Sequence, residues 1–245
     1  MGRYGHDRPG DTPGWILRRR VRLWEYVDPG PQPGCLYLPG VRTYVYTTER
    51  STSRQGITDH RQARVRQILT AFGFRDWQWY FGRVTPNYYS EIWKGHCEIL
   101  RREDPPVLIL EDDVEPRAFV ANVQIPAGAQ VACLGGGRIG RTEGIAAGRA
   151  AGIPFLRHGM YGYIPIDRDW MRTTGMWFTH ALLWLDKAAM LQMCDLWEAA
   201  EDMIDNVTAK ESWRFFWVTR RVPMFWQNDG HHYRDTYAYD PPVRT

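Results

Sequence analysis

With 245 residues, 44% of them hydrophobic and 24% charged, the chain is long enough to bury one large α/β core and too apolar for wholesale disorder. The net charge is only +3, and the 31 basic residues include just three lysines, Lys94, Lys187 and Lys210. Arginine forks suit phosphate, although a GC-rich genome produces the same bias. The N-terminus lacks a signal peptide's apolar core, and no apolar run approaches the ~20 residues of a membrane span. The expectation is a cytoplasmic protein with no transmembrane segment, placed in the host cytoplasm if it is viral. Cys35, Cys97, Cys133 and Cys194 have neither CxxC nor His-Cys spacing and suggest neither a zinc site nor a disulfide framework. Twelve tryptophans and 13 tyrosines supply flat surfaces for stacking, or else an aromatic core.

Residues 1–14 are turn-formers without apolar periodicity, a tail. Trp15 to Val27 has the β-branched and aromatic content of a strand, carrying Arg18, Arg19, Arg20 and Arg22, and the DPGPQPG run after it stops regular structure. Residues 1–40 therefore read as a β-rich extension and 41–245 as the main domain. From Val41 strands and helices alternate, the pattern of a mixed sheet flanked by helices. Val41 to Thr48 is a strand. A helix follows Gln55-Gly56, with Val65, Ile68, Leu69 and Phe72 on one stripe. WQWYFGRV is a second strand, YYSEIWKGHCEILRR a second helix ended by Pro105-Pro106, and VLILEDDVEP a short strand buried on both faces. QVACLGG is another such strand. MWFTHALLWLDKAAMLQMCDLWEAAEDMI predicts a strand and then one long helix from about Asp186. An aromatic extended stretch through Gln227 and a polar tail close the chain.

Glu111, Asp112 and Asp113 directly follow the apolar run Val107 to Leu110, and ligands of open α/β sheets bind beyond the carboxyl ends of strands. Three clustered carboxylates in a desolvated site call for a cation, and hard oxygen ligands favour Mn²⁺ or Mg²⁺. The plain alternative is an exposed acidic turn. The order of motifs resembles glycosyltransferase family 25. In that family a strand leads to Arg-rich turns, here Thr47 to Arg54. A small residue plus His precedes the acidic motif, here Gly95-His96, and an apolar strand ends in Glu-Asp-Asp, here within Leu108 to Val114. Later features look like Leu134-Gly135, Gly175 to Ala189 and Val222 to Gln227. The resemblance spans roughly residues 41–230 by motif order, and only LILEDDV is sharp. The family usually has Ser at the position of Gly95, and residues 1–40 and 135–169 have no clear counterpart.

The resemblance implies a GT-A fold, a nucleotide-sugar donor such as a UDP-sugar, and a metal held by Asp113 with Asp112, completed by His231 or His232. It implies nucleoside or donor contacts from Thr47, Thr48, Glu49, Arg54, Glu111 and Asp112, with His96 beneath the donor. An inverting transferase also needs a base; Asp205, at the end of the long helix, is the first candidate and Asp202 the second. Two acceptors stay open: a hydroxymethylated pyrimidine in DNA, as in bacteriophage enzymes, or a carbohydrate. For DNA, Arg18, Arg20, Arg138 and Arg141 would meet phosphates, and Trp177 and Trp226 would stack on an extruded base. Two competing functions remain. Gly135 to Gly140 satisfies GxGxxG, the fingerprint of a dinucleotide-binding oxidoreductase, but no acidic residue stands where the ribose contact would be; a flexible loop is preferred. A sugar- or nucleic-acid-binding module without turnover is the other.

Overall fold

The computed structural model describes residues 23–48, 55–83, 88–135, 138–139, 142–156, 162–177 and 179–227. The main elements are β1 (Arg42–Thr48), α1 (Gln55–Ala71), β2 (Trp77–Gly82), α2 (Tyr88–Arg102), β3 (Val107–Glu111), β4 (Val131–Cys133) and α3 (Thr142–Ala150). They continue with β5 (Tyr163–Pro165), β6 (Trp170–Thr173), β7 (Ala181–Trp184), α4 (Lys187–Ala200), α5 (Ile204–Glu211) and β8 (Trp217–Arg220). The eight strands form one mixed sheet in the order β2-β1-β3-β7-β4-β8-β6-β5. β1 runs parallel to both β2 and β3, and β4 parallel to β8, whereas β7 is antiparallel to its neighbours β3 and β4.

Helices cover both faces, which explains why the central strands are apolar throughout. On β3, Leu108 and Leu110 join one core with Val45, with Val65, Ile68 and Leu69 of α1, and with Phe72 in the turn just after it. Val107 and Ile109 face the other way, into a second core built with Leu100 of α2, Met190 and Trp197 of α4, and Trp217. The expected stripe on α1 is thus fully buried, and α2 has the bounds its pattern predicts.

Two expectations need correction. The Trp15–Val27 strand is not formed where it is described, since Leu23–Glu25 makes a 3-10 turn; Leu36–Tyr37 instead pairs with Asn122–Val123, and Leu38 is wholly buried. The long helix is two helices. Glu201 adopts φ 48°, its N–H bonds Trp197 O, and the chain restarts as α5, so Asp205 lies in the first turn of a helix rather than at the end of one. The glycine-rich run Gly135 to Gly140 is described only at Gly135 and at Arg138–Ile139, a two-residue strand; α3 follows it, and a Cβ on Gly144 would stand 2.2 Å from the Ala209 carbonyl oxygen, so glycine there serves close helix packing on α5.

Candidate active site

β1 and β3 are parallel neighbours with Tyr46 opposite Glu111, so Thr47 and Asp112 leave the sheet side by side at its carboxyl edge. The Thr47 hydroxyl donates to Asp112 Oδ2 at 2.6 Å, and Gln62 Nε2 donates to Thr47 Oγ1 at 3.2 Å. Arg61, one residue earlier on α1, lies 3.5 Å from Asp112 Oδ1 and 3.9 Å from Asp113 Oδ2. Farther along the helix Arg64 forks onto Glu115, with contacts of 2.8 to 3.1 Å. α1 is therefore docked on the acidic turn by three side chains. The turn itself leads into Val114–Pro116, which pairs with Phe225–Gln227.

The other half comes from the antiparallel strand. The Glu111 amide donates to His180 O at 2.9 Å, and the Thr179 hydroxyl stands 3.0 Å from Glu111 Oε1 and 3.1 Å from Asp205 Oδ1. Glu111, Asp112, Asp113 and Asp205 thus converge, although Asp205 is more than ninety residues away in sequence. Burial pushes the Glu111 carboxyl well above its ordinary range, and the nearby charges of Asp113 and Asp205 push further. Burial also raises Asp205, opposed by the hydroxyl and amide of Thr179, and raises Asp112, opposed by Thr47 and Arg61.

Several expected residues stand elsewhere. Asp202 accepts from the Met203 amide at 2.7 Å and from Asn206 at 3.2 Å, and pairs with Lys210 at 3.5 Å; those partners hold it at the start of α5 and lower its pKa. His96 is fully buried in the second core, with Nδ1 donating to Ile92 O and its ring stacked on Tyr46; burial pushes its pKa down to about 4, so it is a neutral core imidazole. Trp226 is buried with the Arg117 guanidinium 3.7 Å over its ring, so it offers no open stacking platform. Thr48 ends β1, and Arg138 and Trp177 are register partners in a two-residue ribbon. Arg18, Arg20, Glu49, Arg54, Arg141, His231 and His232 lie outside the described residues. Thr179, Arg61 and Gln62 were not signalled by the sequence: each acts on a partner 15 to 68 positions distant, with no spacing that marks the pair.

Among the described residues no group of three or more His, Cys, Asp or Glu is arranged to hold a metal ion. Magnesium sites commonly take only one or two protein carboxylates and complete the shell with substrate phosphates and water. Asp112 Oδ1 and Asp113 Oδ2 fit that requirement: they are hard oxygens that already share one positive charge, the Arg61 guanidinium. No helix among the described residues is long and apolar enough to cross a membrane. In comparisons with known proteins, no family model and no curated protein matches this chain.

Proposed function

We propose that this chain is a glycosyltransferase of GT-A type that moves a sugar from a nucleotide-sugar donor, such as a UDP-sugar, to a hydroxyl acceptor. The observation that carries the reading is the joining of Glu111 to Asp205 through Thr179, beside Asp112 and Asp113, at the carboxyl edge of the sheet, where donors bind in open α/β folds. Gathering four partly or wholly buried carboxyl groups is unfavourable for the fold alone, and clusters of that kind concentrate at functional sites.

Asp112 Oδ1 and Asp113 Oδ2 would hold Mn²⁺ or Mg²⁺, which when bound neutralises charge gathering on the leaving nucleotide. Thr47 fixes the rotamer of Asp112 for that purpose. Asp205 takes the proton of the acceptor hydroxyl as its oxygen bonds to the anomeric carbon, and the bond from that carbon to the diphosphate oxygen breaks. Thr179 positions Asp205 by giving it both a hydroxyl and an amide donor. The acceptor we put forward is a 5-hydroxymethylpyrimidine in DNA, supported by a basic complement made almost entirely of arginine; an oligosaccharide is the other arm of the test.

Incubation with a panel of sugar nucleotides, Mn²⁺ and either acceptor tests the reading. Free nucleotide is released in at least one lane, a chelator stops it, and Asp205→Asn slows it by about a hundredfold or more, the usual contribution of a general base. A panel silent in every lane, or an Asp205→Asn protein as fast as the wild type, contradicts the proposal.

A further inference from the structure

β2 is the outer strand of the sheet, and among the described residues no further strand pairs with its open side. Side chains of a strand alternate between faces, so Trp77, Trp79 and Phe81 form one row. Trp77 and Trp79 are half-buried against the core that α1 closes, which puts the row on the same face of the sheet as α1, and Phe81 is 45% exposed. Neighbouring ring centroids are 5.5 and 6.5 Å apart. Adjacent aromatic rings left at an open edge mark a contact surface more often than scattered apolar residues do. The row also points at the candidate active site. Phe81 is the register partner of Thr47 on β1, and the Thr47 hydroxyl donates to Asp112 at 2.6 Å, so the most exposed ring stands one strand from Thr47 and two from the acidic turn.

We propose that this row is a stacking platform for a single-stranded nucleic acid that passes along the edge of β2 toward the acidic turn. Two observations favour nucleic acid over a glycan. The rings are not coplanar, with interplanar angles of 84° between Trp77 and Trp79 and 38° between Trp79 and Phe81; they offer separate faces for separate bases rather than one flat surface for a ribbon of sugars. Exposed arginines bracket them, Arg75 before and Arg83 after, and Asp76, the one acid within residues 75–83, is held by Arg42 at 2.8 Å. Asp28 lies near Arg75, which leaves Arg83, at the end nearer the acidic turn, as the stronger phosphate contact. Delivery of an acceptor by that strand rests on the sugar-transfer reading; the binding itself does not.

Fluorescence anisotropy of a labelled oligo(dT) strand, titrated with full-length protein in dilute salt, tests the platform, with duplex DNA and a neutral oligosaccharide as competitors. The wild type binds the single strand, Phe81→Ala binds it about tenfold more weakly at an unchanged thermal midpoint, and Phe81→Trp restores the affinity. Arg83→Gln lowers the slope of log affinity against log salt by about 0.7, and, as a change at an exposed side chain, keeps the test open should Phe81→Ala fold poorly. No binding of the single strand, duplex binding just as tight, or affinity indifferent to both Phe81→Ala and Arg83→Gln overturns the inference, as does displacement of the strand by the oligosaccharide, which would make the row a glycan surface. Single-strand binding weakened by Phe81→Ala together with no transfer from any sugar nucleotide supports the platform and sinks the transferase reading. Transfer of sugar with DNA affinity indifferent to residues 81 and 83 does the reverse.

Discussion

The Thr179 hydroxyl has one proton to give and two carboxyl oxygens within reach, Glu111 Oε1 at 3.0 Å and Asp205 Oδ1 at 3.1 Å. Both bonds are satisfied together only when one of the acids brings its own proton. Asp205 receives the Thr179 amide as well, whereas Glu111 is the more desolvated and faces the charges of Asp113, Asp205 and Asp112, so the proton resides on Glu111. Its folded pKa is raised, so folding takes up a proton; the resulting stability is complete below the ordinary value of 4.5 and is lost as pH rises through the folded value. Glu111→Gln keeps the shape and removes that loss. We expect it to be more stable than the wild type by about 1 kcal/mol at pH 8 in urea unfolding, with the gain shrinking toward pH 4, while nucleotide release falls. A variant less stable at pH 8 would mean that Glu111 is charged and favourably paired.

Individual elements show why a glycine stands where the resembled family has Ser. A Cβ on Gly95 would come within 2.5 Å of the Tyr46 ring and 2.6 Å of the Tyr80 ring, which stack on each other between α2 and the sheet. Gly95→Ser is therefore expected to cost about 1–3 kcal/mol by overpacking, read as a lower denaturation midpoint, with Gly95→Ala losing nearly as much. A serine variant as stable as the wild type would show that the two tyrosines give way. α2 was legible because its periodic apolar residues end at Pro105-Pro106, an unambiguous stop. The break between α4 and α5 was not, because the left-handed cap is Glu201 and no glycine or proline announces it. α3 is less legible because it carries Gly144 and Gly148, residues that weaken a helix, yet both are sites of close packing, on Ala209 and on Leu156 and Trp213.

For the whole molecule, the alternating pattern conveyed an α/β sheet, and the apolar run before Glu111 conveyed a strand that ends in an acidic turn. The rest of the site depends on the order of strands. β7 inserts antiparallel between β3 and β4, and only that insertion brings Thr179 beside the acidic turn and lets α5 deliver Asp205. Linear spacing carries no trace of such an arrangement, so nothing in the sequence alone signals that Thr179 and Asp205 meet Glu111, or that Arg61 meets Asp112. The same topology leaves Asp202, His96 and Trp226 tied to structural partners, so their substitution should alter stability before chemistry. The activity proposed for the acidic edge is sugar transfer. Mass spectrometry of hydroxymethylcytosine-containing DNA and of oligosaccharides, after incubation with protein, Mn²⁺ and sugar nucleotides, tests it most directly. We expect the mass of one sugar added to acceptor by the wild type and almost none by a folded Asp113→Ala protein; equal addition by both, or none with any donor and acceptor, would overturn the proposed activity.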